Sequence, residues 1–104
     1  MSIVVEVAEV PGWVERLGPA AFLTTVGAER AHLVSVSVAV VGETLVVAAR
    51  RRSAENVGAR PSVTLLWPDA QPGFALLVDG EGRVDGDDLV ITPTSAVLHK
   101  LATG

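Results

Sequence analysis

Residues Leu45 to Pro61 read LVVAARRRSAENVGARP, an apolar run that passes through three consecutive arginines into a short polar stretch ended by proline. Leu45, Val46, Val47, Ala48 and Ala49 have the character of a β-strand. Ser53 is a favoured helix N-cap, and Pro61 must stop the helical run that follows it. Three of the seven arginines, Arg50, Arg51 and Arg52, therefore stand where a strand hands over to a helix N-terminus. Such an end offers unpaired N–H groups and a partial positive charge of about half a unit, so guanidinium forks beside it suit a phosphate. A solvated basic turn with an ordinary serine cap has the same pattern. The neighbouring segments decide between the two.

Just upstream, His32 to Val41 (HLVSVSVAVV) is the most informative strand. A period of two puts Val34, Val36, Val38 and Val40 on one face, which is core. Leu33, Ser35, Ser37, Ala39 and Val41 take the other. Its middle is too small and polar to fill a core and suits close approach by a flat ligand, a second subunit or solvent. Before it, Ala21 to Val26 is a strand that turns at Gly27–Arg30. Ile3 to Val10 is a short strand or a loose arm, and Pro11 opens a short helix through Trp13, Val14 and Leu17 that Gly18 and Pro19 close. After the arginines, Ser62 to Trp67 is a strand ended by Pro68, and Asp69 to Gly73 is a loop. Phe74 to Val84 is a long strand with a bulge or bend at Asp79-Gly80. Asp85 to Asp88 is a hairpin turn, Leu89 to Thr92 returns as a strand, and Pro93 bends or interrupts the chain. The tail, Ala96 to Leu101, is a further strand or a helix started by Pro93, and strand is the favoured reading. About six closely spaced strands with one or two short helices indicate a mainly β fold, a small barrel or sandwich, rather than βαβ units.

Composition narrows the function classes. The 104 residues suit one domain, residues 1–104, and 49% hydrophobic with 19% charged residues argues against disorder. A net charge of −4 argues against a nucleic-acid or anionic-membrane binder, so positive charge acts only locally, at Arg50–Arg52. The absence of cysteine excludes disulfides, thiolate metal sites and cysteine nucleophiles. No apolar run approaches a membrane span and no leader pattern opens the chain, which leads us to expect a cytoplasmic, soluble protein. GEGRVD at 80–85 lacks the last glycine and the helix of a dinucleotide fingerprint. Asp85, Asp87 and Asp88 lack the glutamate of a calcium loop. His32 and His99 have no partner at metal-ligand spacing, and no G-x-S-x-G surrounds a serine. No catalytic acid or base stands out.

The order of AFLTTVG (21–27), HLVSVSVAVVG (32–42), TLVVAA (44–49), the arginines, Ser53, Asn56, Arg60-Pro61 and SVTLLWP (62–68) resembles the pyridoxamine 5′-phosphate oxidase-like split β-barrels, a family of flavin- and deazaflavin-binding proteins. The likeness spans roughly Pro19 to Val84, and ITPTSAVLH (91–99) also looks like small members of that group. It implies a six-stranded split barrel, a homodimer, and a cofactor in a groove between the subunits. FMN is the expected cofactor, with a deazaflavin, or none, as alternatives. Counting back from Pro61, the arginine of the family's Ser-Arg-Lys phosphate motif falls on Arg52, while its serine and lysine positions hold Arg51 and Ser53. The strand that carries Arg and Lys in the oxidase itself reads LVSVSVAV here, so the resemblance implies a relative rather than a true pyridoxamine phosphate oxidase.

On that basis Arg50, Arg51, Arg52 and Ser53 form the expected phosphate seat, and Ser35 and Ser37 meet the ring edge. Asn56 either holds the ribityl chain or braces the helix, and Trp67 either borders the groove or fills the core. The expected activity is oxidation or reduction by the cofactor, with the substrate open. The rival readings are a flavin-binding module without turnover and a dimeric interaction protein that has lost the cofactor.

Overall fold

Alternating burial along nearly every strand wraps one antiparallel sheet around a single apolar core. The computed structural model describes residues 2–102. In chain order the elements are β1 (Ser2–Val5), a 3-10 turn (Val7–Glu9), α1 (Val10–Leu17), β2 (Ala20–Val26), β3 (Ala31–Ser37), β4 (Ala39–Val41), β5 (Thr44–Ala48), α2 (Arg51–Ala59), β6 (Ser62–Gln71), β7 (Phe74–Asp85) and β8 (Asp88–Lys100). The sheet runs β3-β2-β6-β7-β8-β5-β4, and β1 adds to β8. Among the described residues no helix is long and apolar enough to cross a membrane.

Eight segments rather than about six carry the sheet. The arm at the N-terminus is a strand, with Val4 opposite Val97 and Ser2 opposite His99. The stretch from His32 to Val41 divides at Val38, which is buried and whose N–H donates to the Pro19 carbonyl oxygen at 2.8 Å. The two halves lie at opposite ends of the strand order, so one residue joins the sheet's last strand to its first. The sheet is thereby curled into an open barrel. The valine parity holds across the division: Val38 is buried, Val34, Val36 and Val40 are partly buried against the core, and Leu33 and Val41 face outward.

Two prolines fail to end their strands. β6 continues through Pro68 to Gln71, past a register shift between Trp67 and Gln71, so the loop expected at Asp69–Gly73 shrinks to a turn at Pro72-Gly73. β8 continues through Pro93, where Gly80 pairs with Pro93 and Asp79 with Ser95, leaving Thr94 as the extra residue. A proline that need not donate to the ladder is tolerated at such bulges. The bulge expected at Asp79-Gly80 is present. A Cβ on Gly80 would lie 2.6 Å from the Thr92 carbonyl oxygen, so only glycine permits this close approach at the bulge.

The inward side chains include Leu23, Leu45, Leu65, Leu76, Val78, Leu89 and Ile91, with Val10 and Val14 of α1 plugging one part of the core and Val57 of α2 another. On the outer face the registers align Phe22, Leu66, Leu77, Val97 and Val4 in one row across β2, β6, β7, β8 and β1. Val4 is 76% exposed, and Ser35 extends the row onto β3 opposite Phe22.

Candidate functional site

The junction that carries the arginines is held from behind. The Ala49 N–H donates to the Asp87 carbonyl oxygen at 2.8 Å, tying the end of β5 to the β7–β8 turn. The chain therefore enters the helix at once. Arg50, with φ −97° and ψ 156°, is the N-cap, and no side-chain cap hydrogen bond forms. The Ala54 N–H donates to the Arg50 carbonyl oxygen at 2.8 Å, so the N–H groups of Arg51, Arg52 and Ser53 have no partner within the helix.

This corrects the expectation for Ser53. It is not the cap but the third helical residue, 1% exposed, and its hydroxyl is buried without a hydrogen-bond partner. Only its backbone N–H remains at the helix end. Trp67 is also removed from the groove. It is 3% exposed, and its Nε1–H donates to the Gly18 carbonyl oxygen at 3.1 Å, pinning the α1–β2 connection to the core. β6 alternation turns it inward, which is the core alternative of the sequence reading.

The three arginines fan out rather than converge. Successive helical residues are about 100° apart around the axis, so neighbours at a helix start face different ways. Arg50 lines a cleft of about 480 Å³ with Pro19, Ala20, Ala21, Phe22, Ser35, Val36, Ser37 and Pro68. Arg52 lines a second cleft of about 360 Å³ with Asn56, Glu55 and the β2–β3 turn, which brings Arg30 and His32. Arg51 points to solvent, 94% exposed, with its Nε 3.3 Å from Glu55 Oε1. Both volumes fall within the range of about 300–1,000 Å³ of small-molecule sites.

Ser35 and Ser37 thus share a cleft with Arg50, which the sequence reading groups instead with Arg51, Arg52 and Ser53 as a phosphate seat, and Asn56 shares one with Arg52. The helical i, i+4 spacing places Arg52 and Asn56 on one face. Asn56 braces the helix: its Nδ2 donates to Thr25 Oγ1 at 3.0 Å, and Thr25 is fully buried on β2. It also lines the charged cleft. Gly27 makes that arrangement possible. Its N–H donates to the Arg30 carbonyl oxygen at 2.9 Å, and a Cβ there would sit 2.7 Å from the same oxygen.

Arg30 and His32 were not singled out in the sequence as members of a site. The turn containing Arg30 was legible, but its meeting with α2 depends on a contact between segments some 20 residues apart. The two clefts lie toward opposite ends of the β2–β3 hairpin. His32 and Ser37 are five residues apart on β3, about 17 Å at a rise of about 3.4 Å per residue. β3 is an end strand of the sheet, paired among the described residues with β2 alone, so one of its backbone edges carries free N–H and C=O groups. Among the described residues no group of three or more His, Asp or Glu side chains is placed to hold a metal ion.

No protein-family model matches the chain. A 57-residue segment is 37% identical to uncharacterized proteins of Mycobacterium bovis and Mycobacterium tuberculosis, covering 47% of this chain and only 40% of each relative's length. Solved structures match over nearly the whole chain at low identity. The FAD binding protein from Mycobacterium smegmatis superposes with a TM-score of 0.69 at 14% identity, covering 98% of this chain and 100% of that one. A Listeria innocua protein that carries the pyridoxamine 5′-phosphate oxidase name gives 0.69 at 18% identity, with coverages of 88% and 96%. An F420 reductase gives 0.65 at 19% identity, with coverages of 89% and 98%.

Proposed function

We propose that this chain, which has the split β-barrel fold of the pyridoxamine 5′-phosphate oxidase-like proteins, binds a flavin-type cofactor along β3 and works as an oxidoreductase. FMN is the cofactor we favour, with a deazaflavin as the alternative. One observation carries the reading: a charged cleft and a weakly charged cleft stand toward the two ends of one edge strand, about the span of an extended flavin mononucleotide. The neighbours that bind FAD or act as an F420 reductase support it.

The donor set fits such a molecule. Arg52, Arg30, His32 and the free N–H groups at the start of α2 suit a phosphate. Phe22, Ala20, Ala21 and Pro19 offer a flat apolar bed for the ring, with Ser35 and Ser37 as hydroxyl partners at its edge. The free edge of β3 adds backbone donors and acceptors of the kind that a flavin's pyrimidine edge pairs with. When bound, the cofactor supplies the hydride chemistry, and the protein supplies binding, orientation and electrostatics.

The assembly we infer is a homodimer. The outward row Phe22, Leu66, Leu77, Val97 and Val4 is an apolar stripe five strands wide that runs into the ring cleft at Phe22 and Ser35. A second copy covering the stripe would also roof the cleft and exclude water from it. A binding module without turnover is the second reading, favoured by a ring cleft lined by serine, alanine, phenylalanine, proline and a single arginine, with no carboxylate or histidine to move protons.

The test is a visible spectrum of the purified protein, mass spectrometry of what heat releases, and titration with FMN and a reduced or oxidised deazaflavin. One cofactor per chain supports the reading. A colourless protein that takes up neither compound overturns it and leaves an interaction protein. Reduction of bound cofactor by NADH, NADPH or a reduced deazaflavin separates the enzyme from the binding module.

A further inference from the structure

The sequence groups three arginines, yet the fold gives Arg50 a setting of its own. Among the described residues lining the cleft of Phe22, Ser35 and Ser37, Arg50 alone is charged. The other cleft, by contrast, holds Arg30 and Arg52 together with Glu29 and Glu55. Neither ion pair found among the described residues engages Arg50. Arg50 is exposed in the single chain, and as the solitary cation in a cleft otherwise walled by alanine, valine, proline, phenylalanine and serine it is less screened once a bound ring and a second copy cover it. It acts on any negative charge that develops there.

Resting on the cofactor reading above, we propose that Arg50 sets the reduction potential of the bound ring. The oxidised flavin ring is neutral. On reduction it takes two electrons and one proton, delivered together as a hydride from a two-electron donor such as a reduced nicotinamide, which leaves as the oxidised pyridinium. The reduced ring then carries one negative charge. Arginine stays protonated throughout, so its charge is present in both states and stabilises only the charged one. By linkage, the same factor that tightens binding of the reduced cofactor shifts the reduction equilibrium toward it. Arg52, at the phosphate end, meets a group whose charge does not change with oxidation state, and it tightens both forms alike.

The full chain loaded with FMN tests this by redox-dye equilibration, with Arg50→Gln, Arg50→Lys and Arg52→Gln compared with the parent. Arg50→Gln is expected to lose at least tenfold more affinity for reduced than for oxidised FMN, a fall of about 30 mV for a two-electron couple. Arg50→Lys is expected to keep most of the parent value. Arg52→Gln is expected to weaken both forms by a similar factor with little change in potential. Equal potentials for the parent and Arg50→Gln overturn the assignment, and so does an Arg50→Gln variant that weakens both forms equally, which would make Arg50 a phosphate ligand while leaving the cofactor reading intact. A parent protein that binds neither FMN nor a deazaflavin overturns both.

Discussion

Asn56 and Thr25 meet through a 3.0 Å hydrogen bond from Nδ2 to Oγ1, joining α2 to the fully buried side of β2 across 31 residues of chain. It is a fixed point between the helix that presents Arg52 and the strand that ends in the Arg30 turn. Replacing Asn56 with Ala leaves the Thr25 hydroxyl buried and unpaired, which we expect to cost about 1–3 kcal/mol. Thr25→Val in the same background should recover part of that loss, since it removes the orphaned group. Urea denaturation of the two single variants and the double variant measures the coupling. Strict additivity would mean that the pair contributes nothing.

Ser53 makes the opposite case. Its hydroxyl is buried with no partner, and serine is a weaker helix former than alanine. Ser53→Ala should raise stability by about 1–2 kcal/mol, read as a higher urea midpoint with an unchanged slope. If FMN affinity falls at the same time, the hydroxyl reaches the cofactor after all, and the buried placement is not the one that binds.

Gly80 sits at the bulge in the β7–β8 ladder, with the Thr92 carbonyl oxygen in the place of a side chain. Gly80→Ala forces backbone against backbone, so nothing flexible can give way. A loss of about 1–3 kcal/mol or more is expected. Thermal denaturation checks it, with Gly58→Ala, which has open space around it, as the control.

Arg51 and Arg52 are neighbours with different work. Arg52→Ala should weaken FMN binding about tenfold to a hundredfold, the equivalent of one charged hydrogen bond of about 1.5–3 kcal/mol. Arg51→Ala should change affinity little, because its side chain points to solvent beside Glu55. Fluorescence titration distinguishes them. A larger loss at Arg51 would move the phosphate seat out of the Arg30–Arg52 cleft.

The outward row predicts the oligomer. Val4→Asp places a charge at one end of the apolar stripe without touching the core, since Val4 is among the most exposed apolar residues. Sedimentation should show a dimer for the parent and a shift toward monomer for the variant. A monomeric parent would remove the roof from the ring cleft.

Strand parity is legible in the sequence because alternation needs only local residues: the valine face of His32–Val41 and the bulge at Asp79-Gly80 are where they were expected. So was the helix stop at Pro61, with α2 ending at Ala59 and Arg60 in extended backbone. Pro68 and Pro93 misled for the reason that helps elsewhere. Proline breaks a ladder only where its missing N–H was needed, and whether it was needed depends on the pairing partner. Ser53 misled because the Ala49–Asp87 hydrogen bond, closed by a distant hairpin, starts the helix earlier than the cap preference suggests. At the site, Asn56 stood out in the sequence, but the cleft it shares with Arg52 depends on Arg30 and His32, which enter only through packing between distant segments. Three arginines in a row look like one cluster in a string of letters; helical geometry distributes them among two clefts and solvent.

The single-residue joint at Val38 also has a kinetic consequence. Strands β2 to β5 follow one another along the chain, and β6 to β8 form a meander of adjacent hairpins, so each block is made of short-range pairings that form quickly. What binds the blocks are the β2–β6 and β5–β8 ladders, between segments about 40 residues apart. Because Val38 ties β3, the hairpin partner of β2, to β4, the hairpin partner of β5, zipping one ladder brings the second into reach. The ring of strands should therefore close in one concerted docking step, with Val38 burial marking its completion.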